Sequence, residues 1–209
     1  SKLGTDGEED IPCDLILMCG GWTPSVHLFS QSRGKLKFDS ERNVFIPGTS
    51  VQAERSAGAC KGSETLAEAF ADGSAAGADA ATKAGFSASS RSVTVAGVHD
   101  ARGGFLGAVP HPHDAGRVKA FVDFQNDVTA KDIKLATREG MRSIEHVKRY
   151  TTTGMATDQG KLSNMNALAI ASQALDKSIP EVGLTTFRQP YTPISFGAMA
   201  NHSRGDLFD

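Results

Sequence analysis

The stretch from Gly85 to Arg117 limits most strongly what this chain can fold into. It reads GFSASSRSVTVAGVHDARGGFLGAVPHPHDAGR and is dominated by Ser, Gly, Ala, Pro and His. Only Arg91 to Val98 has the β-branched content of a strand. A run this long and this poor in apolar periodicity reads as a connection between two units rather than as part of either. It divides the 209 residues into a first piece at 1–85, a linker at 86–117, a small helical unit at 118–178 and an extended tail at 179–209. The expected fold class is α+β. His111-Pro112-His113 invites a metal reading. Pro keeps those two imidazoles on an extended chain, and no Cys or carboxylate pattern completes a site, so a stiffened linker is the plainer reading.

Charge and composition remove several function classes. The formal net charge is −2, which does not suit a nucleic-acid or anionic-membrane binder. No apolar run reaches the ~18 residues of a membrane span, and SKLGTDGEED lacks the pattern of a signal peptide. The three cysteines (Cys13, Cys19, Cys60) are odd in number and form no Cys-x-x-Cys. Reduced thiols in a cytoplasmic protein are expected.

In the first piece, Cys13 to Cys19 is a continuous apolar run ending in Gly20-Gly21, the pattern of a doubly buried strand. Val26 to Phe29 suits one helical turn. Lys35 to Ile46 reads as two strands around a polar turn at 39–43, and Val51 to Ala59 is a further strand candidate. Gly58-Ala59-Cys60-Lys61-Gly62 is a glycine-bracketed loop. Ser63 is placed to cap a helix of about five turns over Thr65–Lys83, with Leu66, Ala69 and Phe70 on one side. Such a loop at a helix start favours phosphate contacts; a tight turn without ligand is the alternative. Cys60 lacks a resolving thiol nearby and reads as a small packed residue.

In the second unit, Thr129 caps a helix over 130–139 with Asp132 completing a capping box, and Gly140 ends it. Ser143 caps a helix to Tyr150, with Ile144, Val147 and Tyr150 facing inward. Ser163 starts another over 164–177, whose Met165, Leu168, Ala169, Leu175 stripe is core. Between these helices lies VKRYTTTGMATDQGKLS, residues 147–163. Arg149, Thr151, Thr152, Gly154, Asp158, Gln159 and Lys161 bring cations, hydroxyls and turn amides into roughly a dozen residues, a donor set suited to an anion such as phosphate. An ordinary helix–turn–helix corner with a solvated basic end is the alternative. No residue suggests a nucleophile, a general base or a metal ligand, so no catalytic or metal site is assigned.

The strings VDFQNDVTAKDI, SIEHVKRYTTTGMATDQGKLSNMNALAI and FRQPYTPISFGA resemble alpha subunits of the heterotetrameric sarcosine oxidases, and CDLILMCGGWTPSVHLFSQSRGKLKFD agrees. The resemblance covers nearly the whole chain. It implies an internal fragment: the end of a Rossmann-like FAD/NAD-binding domain, then a helical domain, leading toward a folate-binding domain. It also implies an oxidoreductase that demethylates sarcosine to glycine with peroxide formation, working with beta, gamma and delta subunits. Sarcosine oxidation at FAD belongs to the beta subunit, FMN lies between alpha and beta, and alpha carries NAD and tetrahydrofolate sites. On that resemblance Gly58, Ala59, Ser63 and Thr65 become NAD contacts, and Arg149, Thr151, Thr152, Gly154, Asp158, Gln159 and Lys161 the alpha-side wall of the FMN site. The isolated fragment is expected to be inactive.

The helical unit is also similar, more distantly, to bacterioferritin-associated ferredoxin, which holds a [2Fe–2S] cluster on four cysteines. The corresponding positions here are Asp123, Gln125, Asp158 and Ser163, none of them a thiolate, so no iron–sulfur cluster is expected. Two other functions fit the residues: a subunit-interaction module without a direct cofactor role, and an alpha subunit of a related proline or opine dehydrogenase.

Overall fold

A computed structural model describes residues 10–15, 17, 21–97, 113–114, 117–189, 192–200 and 202. Val26 and Phe29 are buried and bracket a short helix, α1 (His27–Gln31). The chain then turns into an antiparallel hairpin, β1 (Lys35–Asp39) and β2 (Val44–Thr49). Asp39 shapes its turn by accepting from the Glu41 and Arg42 amides at 3.0 and 3.2 Å. Phe38 faces Phe45 across the strands, ring centres 5.1 Å apart. The two strands and the intervening turn follow the reading of 35–46.

The segment after the hairpin does not. Val51 to Ala57 carries no strand, and Gly58–Cys60 is a single 3-10 turn. Residues of this segment alternate too little between polar and apolar to give a sheet one buried face. Helix α2 (Leu66–Lys83) has the expected length, but Thr65, not Ser63, caps it: Thr65 Oγ1 accepts from the Glu68 amide at 3.2 Å, and Glu68 returns the bond to the Thr65 amide at 3.0 Å. The side Leu66, Ala69 and Phe70 were expected to bury stays open, and no residue of α2 is buried. Leu66 and Phe70 are exposed, as are Leu15, Leu17 and Trp22. The described part of the Cys13–Cys19 run has no strand partner; Ile16, Met18 and Cys19 lie outside the described residues. Residues 91–97 form no strand either, and Val98, His111 and Pro112 also lie outside them.

The second unit is built as its caps suggest. A two-strand ribbon, β3 (Phe121–Asp123) and β4 (Val128–Thr129), leads into α3 (Ala130–Arg138). Asp132 accepts from the Thr129 amide at 2.8 Å and hydroxyl at 2.7 Å, closing the start of that helix. Helix α4 (Ile144–Thr151) begins at Ser143, whose side chain accepts from the His146 amide, and α5 (Asn164–Leu175) packs across both. Tyr150 points outward instead of into the core. Ser163 starts α5 without capping it, for a reason given below. The tail is less extended than its prolines suggest. Ser178, Glu181 and a Pro in the first turn set up α6 (Ile179–Val182), and α7 (Phe196–Ala200) follows.

One core joins the pieces. Ile133, Val147 and Leu168 are fully buried at its centre, from α3, α4 and α5. Phe45 of the hairpin and Val182 of α6 belong to the same cluster, with Leu36, Phe38 and Met165 packed at its edge. Among the described residues no helix is long and apolar enough to cross a membrane. Leu168→Ala should lower the unfolding free energy by about 2–5 kcal/mol, the cost of a cavity at a fully enclosed site, measurable by chemical denaturation. Leu66→Ala, on the open face of α2, should cost under about 1 kcal/mol in the same assay.

Candidate functional site

Two corners carry the residues singled out from the sequence, and they sit on different supports. The first is the 3-10 turn and the start of α2. Lys61 Nζ meets Asp72 Oδ1 at 2.7 Å, and the Ser63 hydroxyl donates to Asp72 Oδ2. Arg42 ties the corner to the hairpin, reaching the Gly62 carbonyl at 2.6 Å and Glu64 at 3.2 Å. Gly58 and Ala59 supply backbone, Thr65 is occupied as the cap, and Cys60 donates to the Ala57 carbonyl at 3.0 Å.

The second corner is organised by Asp123, which the sequence reading noted as a position without a cluster thiolate but gave no role at this corner. Asp123 is 2% exposed. Oδ1 accepts from the Gln125 and Asn126 amides at 2.9 and 3.1 Å, and Oδ2 from the Gly154 amide at 2.7 Å. The Ser163 hydroxyl donates to Oδ2 over a long 3.5 Å, and the helical backbone at Ser163 (ψ −28°) keeps its side chain from capping α5. Gln125 Oε1 takes the Thr157 hydroxyl at 3.2 Å and, at 3.5 Å, the Asp158 amide. Asp123, Gln125, Asp158 and Ser163 are thereby linked through hydrogen bonds. Asp158 in turn accepts from the Gly160 and Leu162 amides at 3.1 and 3.4 Å.

Asn164 locks the turn from below. A Cβ added at Gly160 would lie 2.1 Å from Asn164 Oδ1, and one at Gly154 2.5 Å away. Both glycines also have φ above +70°. Steric room and backbone angle therefore demand glycine together. Lys161 contacts the Asp158 carbonyl at 3.3 Å, and Gln159 accepts from the Arg188 amide at 2.9 Å. Arg149 is held by Glu145 at 2.8 Å on the exposed side of α4. The Thr151 hydroxyl donates to the Val147 carbonyl at 2.8 Å, and Thr152 closes the helix at φ 66°.

A cavity of about 30 Å³ lies beside this corner, lined in part by His27, Phe45, Lys161, Asn164 and Phe187. It is the size of one or two waters. His27 packs on Phe187 with ring centres 3.7 Å apart, pinning the tail to α1. Burial, and then the Lys161 charge, lower its pKa from 6.5 to about 4, against an opposing pull from Asp158. Among the described residues no group of three or more His, Cys, Asp or Glu could hold a metal ion.

Three outcomes follow from this geometry. Asp123→Ala should cost about 2–4 kcal/mol in a denaturation assay, since it strands buried N–H donors. Gly160→Ala should cost at least about 2 kcal/mol, and adding Asn164→Ala should recover only the steric part. The neutral His27 binds fewer protons when folded than when unfolded. Stability should therefore be full above 6.5 and fall as the pH drops toward about 4, and a His27→Gln variant should lose that part of the pH dependence in pH-dependent melts.

Residues 117–203 match the family model for the sarcosine oxidase A3 domain. The chain is 38% identical over 217 residues to the sarcosine oxidase subunit alpha of Corynebacterium sp. (strain P-1), covering 100% of this chain and 22% of that protein. It is 41% identical over 204 residues to the subunit of the same name from Rhizobium meliloti (strain 1021), covering 96% and 20%. It therefore spans about a fifth of the length of these relatives. The crystal structure of L-proline dehydrogenase from P. horikoshii superposes with a TM-score of 0.62 at 20% identity, covering 86% of this chain and 37% of that one, a likeness of fold. Residues 117–203 belong to the sarcosine oxidase A3 domain family, and the chain along its length is similar to sarcosine oxidase alpha subunits.

Proposed function

We propose that this segment furnishes cofactor walls and subunit contacts in a multi-subunit oxidase that converts sarcosine to glycine with peroxide formation. The observation that carries the reading is similarity along the whole chain to sarcosine oxidase alpha subunits at 38 and 41% identity. The segment is an end piece of a Rossmann-like domain followed by a helical domain of the bacterioferritin-associated ferredoxin type. In it, hydrogen bonds among Asp123, Gln125, Asp158 and Ser163 take the place of a cluster. The protein acts in the cytoplasm with beta, gamma and delta subunits, and sarcosine is handled by the beta subunit, which carries FAD.

Arg149, Thr151, Thr152, Gly154, Asp158, Gln159 and Lys161 form the alpha-side wall of an FMN site shared with the beta subunit. Their donor set fits a phosphate and a flavin edge. The Arg149–Glu145 pair is an exposed i,i+4 contact, worth only about 0.3–0.5 kcal/mol, so an anion can compete for the guanidinium. Asp123 holds the loop amides rigid beneath this wall, so little ordering is left for ligand binding. FMN, when bound, supplies electron transfer to oxygen; this chain's residues hold and orient it. Gly58, Ala59, Ser63 and Thr65 contact NAD at the other corner.

A structural role alone is the second reading. It is favoured by the internal use of most polar groups at both corners and by the exposure of Phe124, Met155 and Leu162 around the second. Arg149→Ala and Lys161→Ala in the assembled enzyme separate the two. FMN content should fall about tenfold or more with the subunits still together, as flavin absorbance and native mass would show. Loss of assembly without altered flavin chemistry would favour the structural role. Unchanged FMN and unchanged assembly would remove the cofactor reading.

A further inference from the structure

Helix α2 is turned inside out relative to the piece of chain it belongs to. Its four charged residues, Glu68, Asp72, Asp79 and Lys83, lie on one side. Asp72 takes Lys61 and Ser63, and Asp79 takes Arg55 at 3.3 Å and Lys83 at 2.9 Å, so the charged side faces the 55–63 segment. The far side carries Leu66, Phe70, Gly73, Gly77 and Ala80 at spacings of four, three, four and three, one continuous line along a helix. All five are exposed, Leu66 by 60% and Phe70 by 46%. An amphipathic helix ordinarily does the reverse, burying its apolar line and leaving its charges to water. The two glycines are unexplained within this piece. Glycine is a poor helix former, so one in a helix interior needs a reason. Backbone angle supplies none, since neither has a positive φ. Crowding supplies none, since among the described residues nothing outside the helix's own backbone lies within 4 Å of a Cβ built at either position. The segment after α2 returns along Ser74, whose hydroxyl accepts from the Arg91 amide at 2.5 Å, and leaves the line open. What two glycines four residues apart do provide is a notch where another backbone can come close.

We propose that this line seats the remainder of the same subunit's polypeptide: an apolar face from outside these 209 residues packs on α2, with close backbone contact at Gly73 and Gly77. The length of the relatives supplies the occupant. The chain matches only 22 and 20% of two alpha subunits it is similar to, so most of such a subunit lies beyond it. The extent of open surface agrees, because Leu15, Leu17 and Trp22 of the same piece are exposed as well. The absence of charge along the line also separates the candidates. Uncharged faces belong to domain cores and permanent contacts, whereas interfaces between proteins that come and go are about as polar as the rest of the surface. None of this depends on a cofactor at the neighbouring corner.

The test uses the full-length subunit, alone and with its partner subunits. Ala80→Cys puts a thiol on the line at little cost in volume. Its modification by a water-soluble maleimide is followed by peptide mass spectrometry, which separates it from Cys13, Cys19 and Cys60. In the subunit alone, at every dilution, it should react at least about tenfold more slowly than in the same variant unfolded in urea. Native mass and far-ultraviolet circular dichroism matching wild type establish that the variant folds. A rate close to the unfolded one would overturn the proposal. Protection that fades on dilution would give the face to a second copy, and protection that appears only with the partner subunits would give it to one of them; either overturns the assignment to the subunit's own chain. A second variant reads the notch by the sign of its effect. On an open helix face Gly77→Ala raises the melting temperature, because alanine is the better helix former. Against a closely packed backbone it should lower it in the full-length subunit, and a rise there would overturn the close contact.

Discussion

The Asp123 carboxylate is the contact on which the second unit depends. It lies at the end of β3, almost fully buried, and collects amide donors from its own turn and from Gly154, thirty-one residues on. A buried charge is costly unless donors surround it. Here they do, and the result is a fixed relation between the β3–β4 turn and the long loop joining α4 to α5. That loop has little apolar burial of its own: Met155 and Leu162 point to solvent. Its backbone turns close largely on one another, and Asp123, with Gln125 and Asn126, ties them to the β3–β4 turn. Within this arrangement the Thr153 side chain is buried, the two glycines close on Asn164, and the tail from Leu184 to Phe187 finds a rigid surface.

What was legible in the sequence was local. The caps at Thr129 and Ser143, the break at Gly140 and the 35–46 hairpin all depend on residues within about four positions of each other, where spacing dictates geometry. Two of the misreadings share a pattern. Ser63 and Ser163 each stand before a helix and each look like caps, yet their hydroxyls go to Asp72 and Asp123, partners nine and forty residues away. In both cases the hydroxyl faces a distant carboxylate, and no periodicity encodes that. Helix α2 shows the reverse case: its local signals gave its length, but whether its Leu66 side is covered depends on contacts outside the helix.

The candidate site divides the same way. The concentration of cations, hydroxyls and glycines in 147–163 and 58–65 was visible as composition. The residues that fix those loops were not, since Asp72, Asp123, Asn164 and His27 act across folded distance. Asp123 had one available signal, an Asp followed by two amide donors in a turn between apolar strands. The partner loop had none.

Comparing the two corners shows why similar donor sets can serve different chemistry. At Arg149 the counter-charge is a single glutamate one helical turn away on an exposed face, and the guanidinium keeps further N–H groups that this pairing does not use. An incoming anion meets weak competition there. At Lys61 the counter-charge is Asp72, gripped at once by an ammonium and a hydroxyl, with Gly58 backbone support. An incoming anion there meets a carboxylate already bonded to the donors it would need. Composition makes the two corners look alike. Their own carboxylates set them apart: one corner keeps positive charge on offer, and at the other the ammonium is already paired.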